Sequence, residues 1–182
     1  MIQAMSIIEL GSYICSELSK QGIEVVLSGG SCVQIYSDGA YTSYDLDMIN
    51  RYNEPWKKIQ SVMLSLGFRE EGKYFTHPDT HYFIEFPSGP LGVGDAPVTH
   101  IHELTTPYGT LRLLSPTDCI KDRLAAYYHW NDTQSLIQAI QVASKHPIDM
   151  EELREWSANE RALEKFEHFK SKAASAMLSP LS

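Results

Sequence analysis

The chain has 182 residues, a length that corresponds to one domain or to one domain with a small addition. Hydrophobic residues make up 43% of it and charged residues 21%, which excludes a disordered, collagen-like or disulfide-stapled protein. There are 15 lysines and arginines against 23 acids, a net charge of −8. This balance argues against tight non-specific binding of nucleic acid, because such binding depends on clustered cations.

The cysteines and the N-terminal sequence predict a cytoplasmic protein without a membrane partner. Three cysteines, an odd number without metal-type spacing, are typical of a reducing compartment. Residues 1–20 lack the basic start and apolar segment of a signal peptide. No stretch approaches the roughly 18 apolar residues that a membrane-spanning helix requires.

The first half of the chain shows alternating helix and strand patterns. Ile7, Leu10, Ile14 and Leu18 recur at helical spacing, and the apolar run 23–27 predicts a buried strand. A second helix is predicted to follow residues 29–31 and to run to about residue 37, and a third is predicted over residues 56–66. Further strands are predicted over residues 44–49, 68–75 and 81–86.

The second half begins with a loop and a hairpin and then becomes helical. Residues 87–97 are rich in glycine and proline, and strands over 98–105 and 110–114 flank a turn. Ser115 and Pro116 are typical of a helix start, and three more helices follow, the last two beginning near Asp149 and Ser157. We predict an α/β core over residues 1–114 and a helical part over 115–182, packed as one unit.

Three small residues follow the first predicted strand, namely Gly29, Gly30 and Ser31. Glycines at a strand-to-helix turn let a ligand approach the backbone, and free N–H groups at a helix start attract an anion. The segment is therefore a candidate phosphate site. The alternative is a tight turn in which Ser31 is only a helix cap.

Two carboxylates alternate with apolar residues in the next predicted strand. Asp45 and Asp47 are two residues apart, so their side chains point to the same face, about 6.5–7 Å apart along the strand. Oxygen ligands of this kind suit a hard divalent cation such as Mg²⁺. Glu85, inside a later apolar strand, would complete the set. The alternatives are a solvated acidic strand face and, for Glu85, an ion pair.

In order and in chemistry, Gly30-Ser31, Asp45-Leu46-Asp47 and Glu85 resemble the signature of the DNA polymerase β-type nucleotidyltransferase superfamily. The resemblance covers about residues 23–86. Residues 115–142 resemble the helical part of small bacterial nucleotidyltransferase-like proteins of toxin–antitoxin and phage abortive-infection systems. The resemblance implies an α+β fold, a short mixed β-sheet with flanking helices, followed by a C-terminal helical part.

The resemblance also implies an activity, namely transfer of a nucleoside monophosphate from a nucleoside triphosphate to a hydroxyl of a macromolecule. The acceptor would be a protein or a tRNA, and a cognate toxin or antitoxin would be a partner. Asp45, Asp47 and Glu85 would be the catalytic residues and would hold Mg²⁺ or Mn²⁺, while Gly29, Gly30 and Ser31 would hold the triphosphate. The alternative function is a catalytically degenerate binding module that acts through a protein partner.

Two basic residues in the helix after Pro116 are further candidates for binding phosphate. Lys121 and Arg123 are two residues apart, so they cannot share a helix face. Arg123 lies beside the apolar side of the helix, and Lys121 is expected to be exposed. Asp132 is the acid that the resemblance places near the next helix start. The alternative for both basic residues is a solvated helix surface.

Overall fold

In the computed structural model, which describes residues 2–178, seven helices flank a seven-stranded sheet. The helices are α1 Ile7–Lys20, α2 Gly29–Tyr36, α3 Trp56–Ser65, α4 Pro116–Trp130, α5 Thr133–Ala143, α6 Met150–Asn159 and α7 Leu163–Leu178, preceded by a 3₁₀ turn at Ile2–Ala4. The strands are β1 Val25–Ser28, β2 Asp45–Asn50, β3 Arg69–Glu71, β4 Tyr74–Thr76, β5 Phe83–Glu85, β6 Gly92–Val93, β7 Ala96–Pro97, β8 Ile101–Thr106 and β9 Gly109–Leu114.

The sheet is mixed, as predicted, with the strand order β3-β4-β5-β2-β1-β9-β8. The β2–β5 and β1–β9 pairs are parallel, and the other pairs of this sheet are antiparallel. Strands β6 and β7 form a separate two-stranded hairpin within the segment predicted to be a loop. Among residues 2–178 no helix is long and apolar enough to cross a membrane.

The side chains of β2 alternate between the covered face of the sheet and the face that bears the acids. Leu46 is fully buried, and its side chain lies near Gly11 of α1. Asp47, the next residue, lies against Gly29 at the start of α2. Because successive strand side chains point to opposite faces, α1 and the start of α2 lie on opposite sides of the sheet. The carboxylates therefore lie on the side where α2 contacts α4 and α5.

Helix α4 begins where the sequence predicts. The Ser115 side chain accepts a hydrogen bond from the Asp118 backbone N–H, and Pro116 takes the first helical position. The helix ends at Asn131, whose left-handed backbone closes its last turn. This helix brings Arg123 towards the face of the sheet that bears the acids.

The helix start predicted near Ser157 is wrong. Ser157 is buried inside α6, where its hydroxyl donates to the Leu153 carbonyl and contacts the Tyr128 hydroxyl. The spacing of serine and glutamate resembles a capping box, but buried contacts on the neighbouring turn satisfy the serine instead. Arg161, with a φ of +58°, lies just beyond the end of α6, and α7 begins at Leu163.

Lys165 of α7 stabilises the end of α4. Its ammonium donates to the carbonyls of Tyr127 and Tyr128 at 3.1 and 2.6 Å and to the Asn131 side chain at 2.6 Å. Carbonyls in the last turn of a helix lack partners within the helix, and a cation there also interacts favourably with the helix dipole.

We expect Lys165→Met to lower the free energy of unfolding by about 1.5–3 kcal/mol, the range for hydrogen bonds to a charged group. Chemical denaturation of the full chain measures this change. Lys170→Met, an exposed lysine of the same helix, is the control and should change the free energy by less than about 0.5 kcal/mol. Equal effects of the two substitutions would contradict a capping role for Lys165.

Candidate active site

The register between β2 and β5 brings the three acids to one face of the sheet. Asp47 is paired with Glu85, and Asp45 is paired with Phe83. Paired residues on adjacent strands project from the same face, so Asp47 and Glu85 are direct neighbours and Asp45 lies two positions along the strand. Leu46 and Met48 are buried while Asp45 and Asp47 are partly exposed, which is the alternation that the sequence predicts.

Gly29 holds the Asp47 carboxylate against the turn between β1 and α2. Its φ of +66° is rarely adopted by other residues, and a Cβ at this position would overlap the Oδ2 atom of Asp47. Glycine is therefore required here for two reasons, the backbone conformation and the space. The first N–H groups of α2 lack partners within the helix, so the turn places hydrogen-bond donors beside the carboxylate.

Gly30 and Ser31 lie in the same turn, but Ser31 has a structural contact. Ser31 is fully buried, and its hydroxyl donates to the Asp45 carbonyl, which also accepts a hydrogen bond from Ser43 at 3.2 Å. A Cβ on Gly30 would lie 3.1 Å from the Tyr41 ring. The side chain of Ser31 thus positions β2, and the atoms of this turn that remain for a phosphate are backbone N–H groups.

The clustered charge changes the acidity of Asp47. Burial raises its pKa to about 6, and the negative charges of Glu85 and Asp45 act in the same direction. The positive charge of Arg123 acts in the opposite direction. The carboxylates therefore repel one another across the strands. The positive charge nearby does not offset all the negative charge on this face of the sheet.

Of the two candidate basic residues, Arg123 lies near the acids of the site, whereas Lys121 lies between α4 and α6. Arg123 lies close enough to lower the pKa of Asp47, and its guanidinium is paired with Asp122 at 2.6 Å. Lys121 is buried, and its ammonium is bound by Asp118 at 3.2 Å and by Glu152 of α6. The expectation that Lys121 is exposed is wrong, because α6 covers that side of α4.

Asp132 is the N-cap of α5. Its carboxylate accepts hydrogen bonds from the backbone N–H groups of Gln134 and Ser135 and from the Ser135 hydroxyl. The bond with the Ser135 side chain lowers the pKa of Asp132. The acid near this helix start therefore has a capping role in the structure.

Sequence reasoning missed Lys73, which is bound to Glu85. Its Nζ atom lies 2.9 Å from Glu85 Oε2 and 4.8 Å from the centre of the Tyr74 ring. The ion pair that was an alternative for Glu85 is thus present. It depends on the register that pairs Tyr74 with Glu85, for which the sequence around Lys73 gives no signal.

The chemistry of the donor set fits a divalent metal ion. Asp45, Asp47 and Glu85 offer hard oxygen ligands on adjacent strand positions, and their mutual repulsion would be relieved by a cation. Within residues 2–178 no three acidic, histidine or cysteine side chains are already gathered as a ligand group. Glu85 is directed to Lys73, so it would have to exchange that partner for a metal.

Comparison with solved structures gives the class of fold. The chain is similar to an antigenic nucleotidyltransferase-like protein from Paracoccidioides brasiliensis, with a TM-score of 0.67, 13% identity and coverage of 100% of this chain and 94% of that one. It is also similar to a solution structure of the antibiotic-resistance factor ANT(2'')-Ia and to the crystal structure of ANT(2'')-Ia in complex with adenylyl-2''-tobramycin. Both have TM-scores of 0.46, with identities of 14% and 13% and coverage of 90% of this chain and of 90% and 94% of those chains.

No protein-family model matches the chain, and no curated protein matches it in sequence. The likeness to the Paracoccidioides protein shows a nucleotidyltransferase-like fold with a C-terminal helical part. Identities this low speak to the fold alone.

We expect Gly29→Ala to destabilise the protein more than Gly39→Ala does. Both glycines have left-handed backbones, with φ of +66° and +78°, but a Cβ on Gly39 would meet nothing within 4 Å. Each substitution should lower the free energy of unfolding by about 1–2 kcal/mol because of the backbone conformation. Gly29→Ala should lower it further, because the added Cβ would displace the Asp47 carboxylate. Chemical denaturation measures both costs, and equal costs would show that Asp47 does not lie against Gly29.

Proposed function

We propose that this protein is a nucleotidyltransferase that moves a nucleoside monophosphate from a nucleoside triphosphate to a hydroxyl group and requires a divalent metal ion. The observation that carries the proposal is the pairing of Asp47 with Glu85, with Asp45 on the same face of the sheet. The turn that begins α2 lies directly against Asp47, so hydrogen-bond donors and carboxylates share one site.

Each residue of the site has a role in this proposal. The backbone N–H groups at Gly29 and Gly30 bind oxygens of the triphosphate, and Arg123 supplies positive charge beside them. Asp45, Asp47 and Glu85 hold Mg²⁺ or Mn²⁺. When bound, the metal supplies charge neutralisation and lowers the pKa of the acceptor hydroxyl. The residues of the chain thus position the reactants and balance their charge.

Ser31 and Lys121 have other roles in this proposal. Ser31 positions β2 through its bond to the Asp45 carbonyl, and it offers a phosphate its backbone N–H only. Lys121 stabilises the contact between α4 and α6 through its two carboxylate partners. Arg123 is therefore the basic side chain that we assign to the phosphate.

For the acceptor, we propose a hydroxyl of a macromolecule, either a protein or a tRNA. The resemblance of residues 115–142 to small bacterial nucleotidyltransferase-like proteins supports a place in a toxin–antitoxin or phage-defence system, with a cognate toxin or antitoxin as the partner. The net charge of −8 slightly favours a protein acceptor over RNA.

The second candidate is a binding module that keeps the fold but has lost catalysis and acts through a protein partner. The observation in its favour is the Lys73–Glu85 ion pair, which occupies the third acid. An enzyme must bind triphosphate in a metal-dependent manner, whereas a binding module need not. This difference separates the two candidates.

The test is a transfer assay with the full chain, each α-labelled nucleoside triphosphate, Mg²⁺ or Mn²⁺, total tRNA and a bacterial protein extract. We expect label to enter RNA or protein and Asp47→Asn to reduce it by about two orders of magnitude or more, equal to about 2.7 kcal/mol of barrier. Asp38→Asn is the matched control, since the Asp38 side chain is 76% exposed in the turn after α2, and it should leave labelling unchanged.

Two results would count against transfer by this site. Equal labelling by the Asp47→Asn and native proteins would contradict the role of Asp47. Absence of both label and metal-dependent triphosphate binding would overturn nucleotide chemistry at this site and favour the binding module.

A further inference from the structure

Lys73 is the cation nearest to the third acid of the site. It follows Gly72 in the turn between β3 and β4, and its ammonium is held by the Glu85 carboxylate and the face of the Tyr74 ring. The contact with Glu85 raises the pKa of Lys73, so the ammonium keeps its charge. The side chain is 63% exposed, so its role is electrostatic and the core does not depend on it.

The two cations beside the acids are placed differently. Arg123 of α4 acts on Asp47 through its charge, and its guanidinium is already paired with Asp122. Lys73 faces Glu85 from the neighbouring hairpin and is bonded to the carboxylate that would be the third metal ligand. A metal ion that uses Glu85 must therefore replace the ammonium, and it must also approach a positive charge a few ångströms away.

We propose that Lys73 is a positioning residue that holds Glu85 in the metal-free protein and lowers the affinity of the site for divalent metal. This inference rests on the proposed function, since it assumes that Asp45, Asp47 and Glu85 bind the metal. Lys73 neutralises Glu85 when no metal is present, and a divalent ion, with twice the charge, displaces it. The pairing also limits the repulsion that Glu85 exerts on Asp47 in the metal-free state.

The experiment measures binding of Mn²⁺ alone to the full chain, from the electron paramagnetic resonance signal of free Mn²⁺. We expect Lys73→Met, which keeps the stem and removes the charge, to tighten Mn²⁺ binding by about two- to fivefold, the upper part of the range for one exposed ion pair. Lys73→Arg should keep the native affinity. Lys58→Met removes an equal charge from α3, where Lys58 is paired with Glu54 just before the helix, and it should leave the affinity unchanged.

A double substitution tests whether the effect passes through Glu85. We expect Glu85→Gln to weaken Mn²⁺ binding, and the gain from Lys73→Met to shrink when the two are combined. Native or weaker affinity in Lys73→Met, or the same gain in Lys58→Met, would overturn the role of Lys73 alone. Absence of Mn²⁺ binding that depends on Asp47, in both the native chain and Lys73→Met, would overturn the proposed metal site itself.

Discussion

The repulsion among three carboxylates on neighbouring strands is the constraint that the surrounding structure accommodates. Its effect is seen at Asp47, whose pKa is raised first by burial and then by the charges of Glu85 and Asp45. Arg123 offsets part of this charge at Asp47, and Lys73 offsets part of it at Glu85. An arrangement that leaves acids under mutual repulsion reduces stability, so it is expected where a cation is to be bound.

Strand β2 shows how one short sequence serves both packing and chemistry. Leu46 and Met48 lie on the face covered by α1, and the acids between them lie on the opposite face. The polar side is then completed from distant parts of the chain. The turn at Gly29 supplies backbone donors, and α4 supplies a guanidinium through its contact with α2. The helical part of the chain thus contributes directly to the charge of the site.

The features that local rules govern could be predicted from the sequence. The alternation around Asp45 and the start of α4 at Ser115 follow from side-chain periodicity and helix capping, whereas the mixed sheet was expected from the family resemblance. The exposure of Lys121 and the helix start at Ser157 were predicted wrongly, because each depends on which helices pack together. The pairing of Lys73 with Glu85 could not be predicted, since it depends on the register between β4 and β5.

The most direct test of the shared charge is a titration of the Asp47 carboxyl carbon by nuclear magnetic resonance, assigned with Asp47→Asn. In metal-free protein the carboxyl should titrate with a pKa of about 6. Its pKa should fall in Glu85→Gln and on addition of Mg²⁺, because each change removes or offsets negative charge beside it. A pKa near the ordinary value of about 4, unchanged by Glu85→Gln, would contradict a common electrostatic site.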